Sequence, residues 1–329
     1  MYLSTKRALL LIGIIFSLTT FPGTLFAAGF DLVKFTTTPK TPGANESVLV
    51  LMNSFAVNLS TANITWYVNK EPIKNGMAEK SITVRTGDFG EQTIIDVIIL
   101  TAEGQTLNKQ LVIAPAEVDI LWEAQTYTPP FYKGKALPSY KSMVRVTAIP
   151  RFNTLTSNPA EYYYKWTYDR IKGAGEAIGR NSIVIPVGYA GSSVPVDVET
   201  SLPGTEWKGA KYVAIPVSDP KVTLYEQAPL LGTLFHHALK QSTETTGTEF
   251  TVRAVPYFFS LDGLLNGELS YKWNVGNQYR QSEVDAQNLT LVRSGKNLES
   301  QTISLDVQNP KRILQHARVQ GVISFTSQE

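Results

Sequence analysis

The chain has 329 residues, 18% of them charged and 43% hydrophobic, with 23 Gly and 18 Pro, a composition that excludes disorder, collagen and coiled coil. It contains no Cys, which excludes a disulfide scaffold, a thiolate zinc site, a Cys nucleophile and a lipidated cysteine. Lys and Arg number 30 against 28 Asp and Glu, and only His236, His237 and His316 are available for histidine-based metal or acid–base chemistry.

The N-terminus reads as an export address. Lys6 and Arg7 precede an uncharged run from Ala8 to Phe21, followed by Pro22-Gly23 and the small residues Ala27, Ala28 and Gly29. This pattern predicts a signal peptide over residues 1–28, cleaved near 27–29. The run is shorter than the roughly 20 apolar residues of a membrane span. Extended through Phe26 it gives the alternative, an uncleaved anchor over residues 8–26. The leader holds two basic and no acidic residues, so the rest of the chain balances 28 against 28. A neutral chain lacks the basic excess that binds phosphate, so no nucleic-acid partner is expected.

From residue 30 onward the chain repeats. In the first stretch, Ser47–Met52 alternates, Asn63-Ile-Thr-Trp66-Tyr-Val-Asn69 follows, and Ser81–Val84 leads through Gly87 and Gly90 to Thr93–Val97. The second stretch has Met143–Ile149, then Tyr163-Tyr-Lys-Trp166-Thr-Tyr-Asp169, then Ser182–Ile185 and Val194–Val198. The third has Phe250–Val255, Leu269-Ser-Tyr-Lys-Trp273-Asn-Val275, Asn288–Val292 and Thr302–Val307. Each final run ends in Asp-Val, at Asp96-Val97, Asp197-Val198 and Asp306-Val307. Two lead-ins also match, Ile120-Leu-Trp-Glu123 with Thr223-Leu-Tyr-Glu226. Short β-branched runs separated by turns, returning about every 100 residues, predict an all-β chain of tandem sandwiches. The expected units span residues 30–115, 116–219 and 220–329, with Trp66, Trp166 and Trp273 as their structural core. One short helical turn is expected within residues 230–240.

These residues resemble the polycystic-kidney-disease (PKD) and immunoglobulin-like modules of secreted bacterial proteins. The resemblance is carried by Thr38-Pro-Lys-Thr-Pro-Gly43, Glu46-Ser-Val-Leu-Val50 and Ile64-Thr-Trp66-Tyr-Val-Asn69. The segment from Val118 to Leu137 is similar to exported proteins of candidate-phylum bacteria. The resemblance implies a spacer, adhesive module or envelope component.

Catalytic patterns are missing from the sequence. There is no G-x-S-x-G elbow, H-E-x-x-H, P-loop or EF-hand loop. The glycine-rich stretch Gly173–Gly179 has one residue too many for a dinucleotide fingerprint. Adjacent His236 and His237 would face opposite sides of a strand and could not chelate one ion together. Glu123 and Glu226 sit at matching lead-in positions, which suggests a shared bond to a backbone N–H. No enzyme activity and no cofactor is therefore expected. The one segment of unusual composition is Tyr127-Thr-Pro-Pro-Phe-Tyr-Lys-Gly-Lys135. Its Pro-Pro stiffens the chain, and Tyr127, Phe131, Tyr132, Lys133 and Lys135 are the candidate contacts for a partner protein or glycan. The competing reading is an interdomain clamp whose rings pack on unit one or two. The expectation is a non-catalytic structural or adhesive protein, exported to the cell surface or beyond. Its partners would be cell-envelope or surface proteins or glycan, with the membrane touched only through an uncleaved N-terminal segment. The alternative is a carbohydrate-binding module protein that uses the aromatic loop.

Overall fold

The structure, a computed structural model, describes residues 33–151, 158–172, 175–188, 193–280, 285–293 and 299–326. The expected leader and part of the glycine-rich stretch lie outside them.

Unit one contains β1 (Lys34–Thr38), β2 (Ser47–Asn53), β3 (Asn63–Val68), β4 (Glu71–Met77), β5 (Ser81–Arg85), β6 (Thr93–Leu100) and β7 (Thr106–Pro115). The strands divide into a sheet β1-β2-β5 and a second sheet β4-β3-β6-β7. The period of two in β2 shows why it is a strand. Val48, Val50 and Met52 are buried while Leu49 and Leu51 face out, so one face joins the core and the other meets solvent.

Unit two repeats the plan with β8 (Glu117–Ala124), β9 (Met143–Arg151), β10 (Tyr163–Tyr168), β11 (Ile171–Lys172), β12 (Ala177–Ile178), β13 (Ser182–Pro186), β14 (Ser193–Ser201) and β15 (Trp207–Pro216). Its sheets are β8-β9-β13 and β10-β14-β15, with β11 and β12 on the outer edge of β10. Unit three contains β16 (Lys221–Ala228), β17 (Gly232–Ala238), β18 (Ser242–Thr245), β19 (Glu249–Tyr257), α1 (Leu261–Leu265), β20 (Ser270–Val275), β21 (Gln278–Arg280), β22 (Asn288–Val292), β23 (Glu299–Gln308) and β24 (His316–Phe325). Its sheets run β17-β16-β19-β22 and β18-β24-β23-β20-β21. This is an all-β chain of immunoglobulin-like sandwiches, each closed around its own apolar cluster.

Trp66, Trp166 and Trp273 are buried in those three clusters. Each indole N–H donates to a main-chain carbonyl just ahead of a strand of the opposite sheet. The acceptors are Glu79 O at 2.7 Å, Arg180 O at 2.9 Å and Ala286 O at 3.1 Å. The ring thus fills the space between sheets, and its one polar group is satisfied in a way that ties them together.

Two local expectations change. Residues 232–238 form strand β17, not a helical turn: Gly232 takes φ +75 at the hairpin tip, and Thr233 pairs with Gln227. A β-branched and aromatic run beside an open strand gains more by completing a ladder than by closing a single helical turn. Among the described residues the helical turns are a 3-10 turn at Pro159–Glu161 and α1 after β19. The matching lead-ins also pair one residue apart. Val118 lies opposite Pro150 and Val222 opposite Pro256, which places Trp122 where unit three has Glu226. A one-residue offset reverses the faces, so Glu123 and Glu226 do not share a role.

Units one and two are joined through the backbone. The end of β7 pairs in parallel with the start of β15, Trp207 opposite Ala114 and Lys208 opposite Pro115. The result is one nine-stranded sheet across both units. Ala116 N donates to Lys208 O at 3.2 Å. Gly209 is required here, because a Cβ would come within 2.7 Å of Val118 Cγ2 and 2.9 Å of Ala116 O.

Candidate functional site

The aromatic segment lies in the long connection between β8 and β9. Its backbone adds to unit three like a short strand. Tyr127 N donates to Phe259 O at 2.8 Å, Phe258 N donates to Tyr127 O at 2.8 Å, and Leu261 N donates to Gln125 O at 3.1 Å. Tyr127 is half-buried, and burial, opposed by the charge of Arg253, raises its phenol above the usual range.

The five side chains part company. The Tyr132 ring, 40% exposed, presents an edge contact to Tyr257 at 5.6 Å and to Phe258 at 6.0 Å. Lys135 folds back on its own unit, its Nζ 3.2 Å from the Trp122 ring centroid. That cation–π contact removes water from the ammonium, and burial lowers its pKa. Phe131 is 86% exposed with φ +66, and Lys133 also faces solvent. The clamp is therefore made by Tyr127 and Tyr132, and it grips unit three, not unit one or two. The connection leaves β8 at the end of its sandwich nearest the next unit, so its rings reach the turn after β19.

Beside the clamp lies a polar knot. Gln315 is buried and spans the joint: its Nε2 donates to Tyr140 O at 2.6 Å and Ser139 Oγ at 3.2 Å in unit two. Its Oε1 accepts from Ser260 Oγ at 2.9 Å and Asn309 Nδ2 at 3.2 Å in unit three. Ser139, Ser142, Ser260, Asn309 and Thr126 are buried with it. Gly263 in α1 packs so closely that a Cβ would sit 2.7 Å from Asn309 Nδ2. Two ion pairs close the rim, Arg312–Asp262 at 2.6 Å and Lys311–Glu268 at 2.6 Å. The hydrogen bonds from Arg312 hold the Asp262 carboxyl below the usual carboxylate range. A buried polar group costs free energy unless it is bonded, so this knot stabilises one particular arrangement of the two units.

Sequence reasoning missed the knot, and a cleft of about 580 Å³ between units one and two. Phe35, Thr37 and Lys40 from unit one face Tyr163, Lys165 and Glu199 from unit two across it. Lys40 bridges the cleft to Glu199 at 2.8 Å. Its residues lie more than a hundred positions apart, and only the strand pairing brings them together. His236 and His237 are adjacent and exposed on β17. Among the described residues no group of three or more His, Asp or Glu is placed to hold a metal ion, and no helix is long and apolar enough to cross a membrane.

No family model and no curated protein matches the chain. Among solved structures, it is similar to the three N-terminal domains of the Highly Immunogenic Outer Capsid protein of bacteriophage RB49. The identity is 12% and the TM-score 0.25, over 90% of this chain and 98% of that one. It is also similar to the mouse nectin-like molecule 4 ectodomain (Ig1–Ig3), at 12% identity and TM-score 0.27, over 87% and 96%. A third is SGBP-B of the Bacteroides ovatus mixed-linkage glucan utilization locus, solved with a heptasaccharide. There the identity is 11% and the TM-score 0.22, over 86% and 64%.

Proposed function

We propose that the chain is a non-catalytic exported structural or adhesive surface protein that acts through protein–protein contacts of its sandwich array. Its partners are cell-envelope or surface proteins. The observation that supports this is the joint between units two and three. A mobile linker would suffice to string sandwiches together, whereas this chain spends a clamp and a buried polar knot on holding two of them at one angle. Fixed joints suit a protein whose work is to span a distance or present its end loops. The leader over residues 1–28 directs it out of the cell, and N-terminal sequencing of the exported protein tests this: a start at Met1 would refute cleavage.

The glycan-binding alternative keeps one specific observation, the exposed Phe131 ring on a stiffened loop. The two aromatic residues now separate the readings. Tyr132→Ser should widen the distribution of lengths in solution scattering and open residues 125–142 to protease. Phe131→Ser should leave the shape unchanged. Loss of cell-surface or glycan attachment in Phe131→Ser would favour the loop as a binding site, and an unchanged shape in Tyr132→Ser would sink the clamp.

A further inference from the structure

The joint between units two and three has a donor and an acceptor. The donor is the connection after the first strand of unit two, with Tyr127 and Tyr132. The acceptor is the end of β19 and the turn beyond it, with Tyr257 and Phe258. Both positions recur, the donor's in unit three and the acceptor's in unit one. In unit three the connection after β16 is the hairpin tip Pro229-Leu230-Leu231-Gly232, where Leu230 is 97% and Leu231 78% exposed. In unit one, Phe55 stands fully exposed beyond β2.

Strand register fixes the equivalence. Val118 and Val222 occupy the same place, opposite Pro150 and Pro256. Counting onward by the same number of residues leads from Val118 to Tyr127 and from Val222 to Leu231. Likewise Val50 lies opposite Ile82 and Val252 opposite Leu289 in the strand pairs β2–β5 and β19–β22. The same step leads from Val50 to Phe55 and from Val252 to Tyr257, the ring on which Tyr132 rests. Among the described residues, the Leu230–Leu231 tip of unit three therefore meets no acceptor and Phe55 of unit one meets no donor. Phe55 and Leu230 are the two most exposed large apolar side chains among the described residues.

We propose that the chain associates head to tail with further copies of itself, the Leu230–Leu231 tip of one copy seating on the Phe55 end of the next. The occupant is a second copy because the chain already makes this joint once, internally, between units with the same strand plan. A heterologous contact of this kind does not saturate in a dimer and extends into filaments or rings. The proposal rests on the joint geometry and not on export or adhesion.

The test is sedimentation and light scattering of the purified chain, over a range of concentrations. The mass of the wild-type chain should rise with concentration past the dimer. Phe55→Ser and Leu230→Ser/Leu231→Ser should each remain monomeric, with unchanged thermal stability because the altered side chains are exposed. An equimolar mixture of the two variants retains one intact tip and one intact Phe55 end, so it should stop at the dimer. A wild-type chain that stays monomeric to about 1 mM overturns the proposal. So does self-association that neither variant weakens, or a mixture that stays monomeric or grows past the dimer. Binding of anionic or neutral lipid vesicles that depends on Leu230 and Leu231, with no self-association, would assign the tip to a membrane instead.

Discussion

Replacing Gln315 by Leu should unlock the joint between units two and three while leaving most of unit three intact. The two side chains have similar volume, so the change is chiefly polar. Two of the Gln315 bonds, to Tyr140 O and Ser139 Oγ, cross between units. At about 0.5–1.5 kcal/mol net for each, their loss costs roughly 1–3 kcal/mol. Ser260 is better protected, because Arg312 Nη1 also donates to its Oγ at 2.7 Å. The joint should therefore weaken by about 1–3 kcal/mol. Contacts that stay between the units include the backbone addition at Tyr127, the Thr126–Ser260 bridge and the ring edge of Tyr132, the last worth about 0.5–1.5 kcal/mol beyond its burial. Small-angle scattering should show a broader set of lengths, and protease should cut within residues 125–142. Ser139→Ala removes one of the crossing bonds from the unit-two side and should give a weaker version of the same effect. If Gln315→Leu keeps the wild-type scattering profile and protease resistance, the knot does not hold the joint, and the angle is set elsewhere.

Three further outcomes are expected. Trp166→Ala should destabilise unit two by about 3–5 kcal/mol, and Trp166→Phe, which keeps a ring but frees Arg180 O, by less; wild-type thermal stability in the alanine variant would remove Trp166 from the core. Gly209→Val should disrupt the parallel pairing of β7 with β15, because the added carbons meet Val118 and the Ala116 carbonyl; calorimetry should then show units one and two melting independently, and retained coupling would contradict this. Burial, then the neighbouring Tyr162, pushes the Tyr164 phenol up to about 12, against about 10 when unfolded. The fold favours the neutral phenol, so its contribution is complete below about pH 10 and is lost as pH rises towards about 12. Thermal unfolding followed over this range should fall less steeply in Tyr164→Phe, and equal slopes would refute the assignment.

The all-β class and the tandem repeat were legible in the amino-acid sequence because their signal is local. Alternation in Ser47–Asn53 shows which side chains face inward whatever they meet there. The recurrence of Trp66, Trp166 and Trp273 marks one position in each sandwich, although the bonds from their indoles to Glu79, Arg180 and Ala286 are visible only in the structure. Even the repeat misleads by a residue where the lead-ins of β8 and β16 look alike, since similar side chains can pair in either register and only the opposing strand selects one. Residues 230–240 were misread because a short apolar run beside Gly satisfies a turn of helix as well as a strand until β16 offers it a ladder. The aromatic loop was singled out by composition alone. Whether its rings faced a partner or another unit depended on where the chain's own third sandwich lay. Gln315 gave no signal, because an amide in a polar loop is ordinary, and it becomes a hub only when Ser139, Tyr140, Ser260 and Asn309 converge on it from two units. Strand patterning is set by neighbours two residues away, whereas the joints are set by contacts between residues roughly ninety or more positions apart, which exist only once each sandwich has closed.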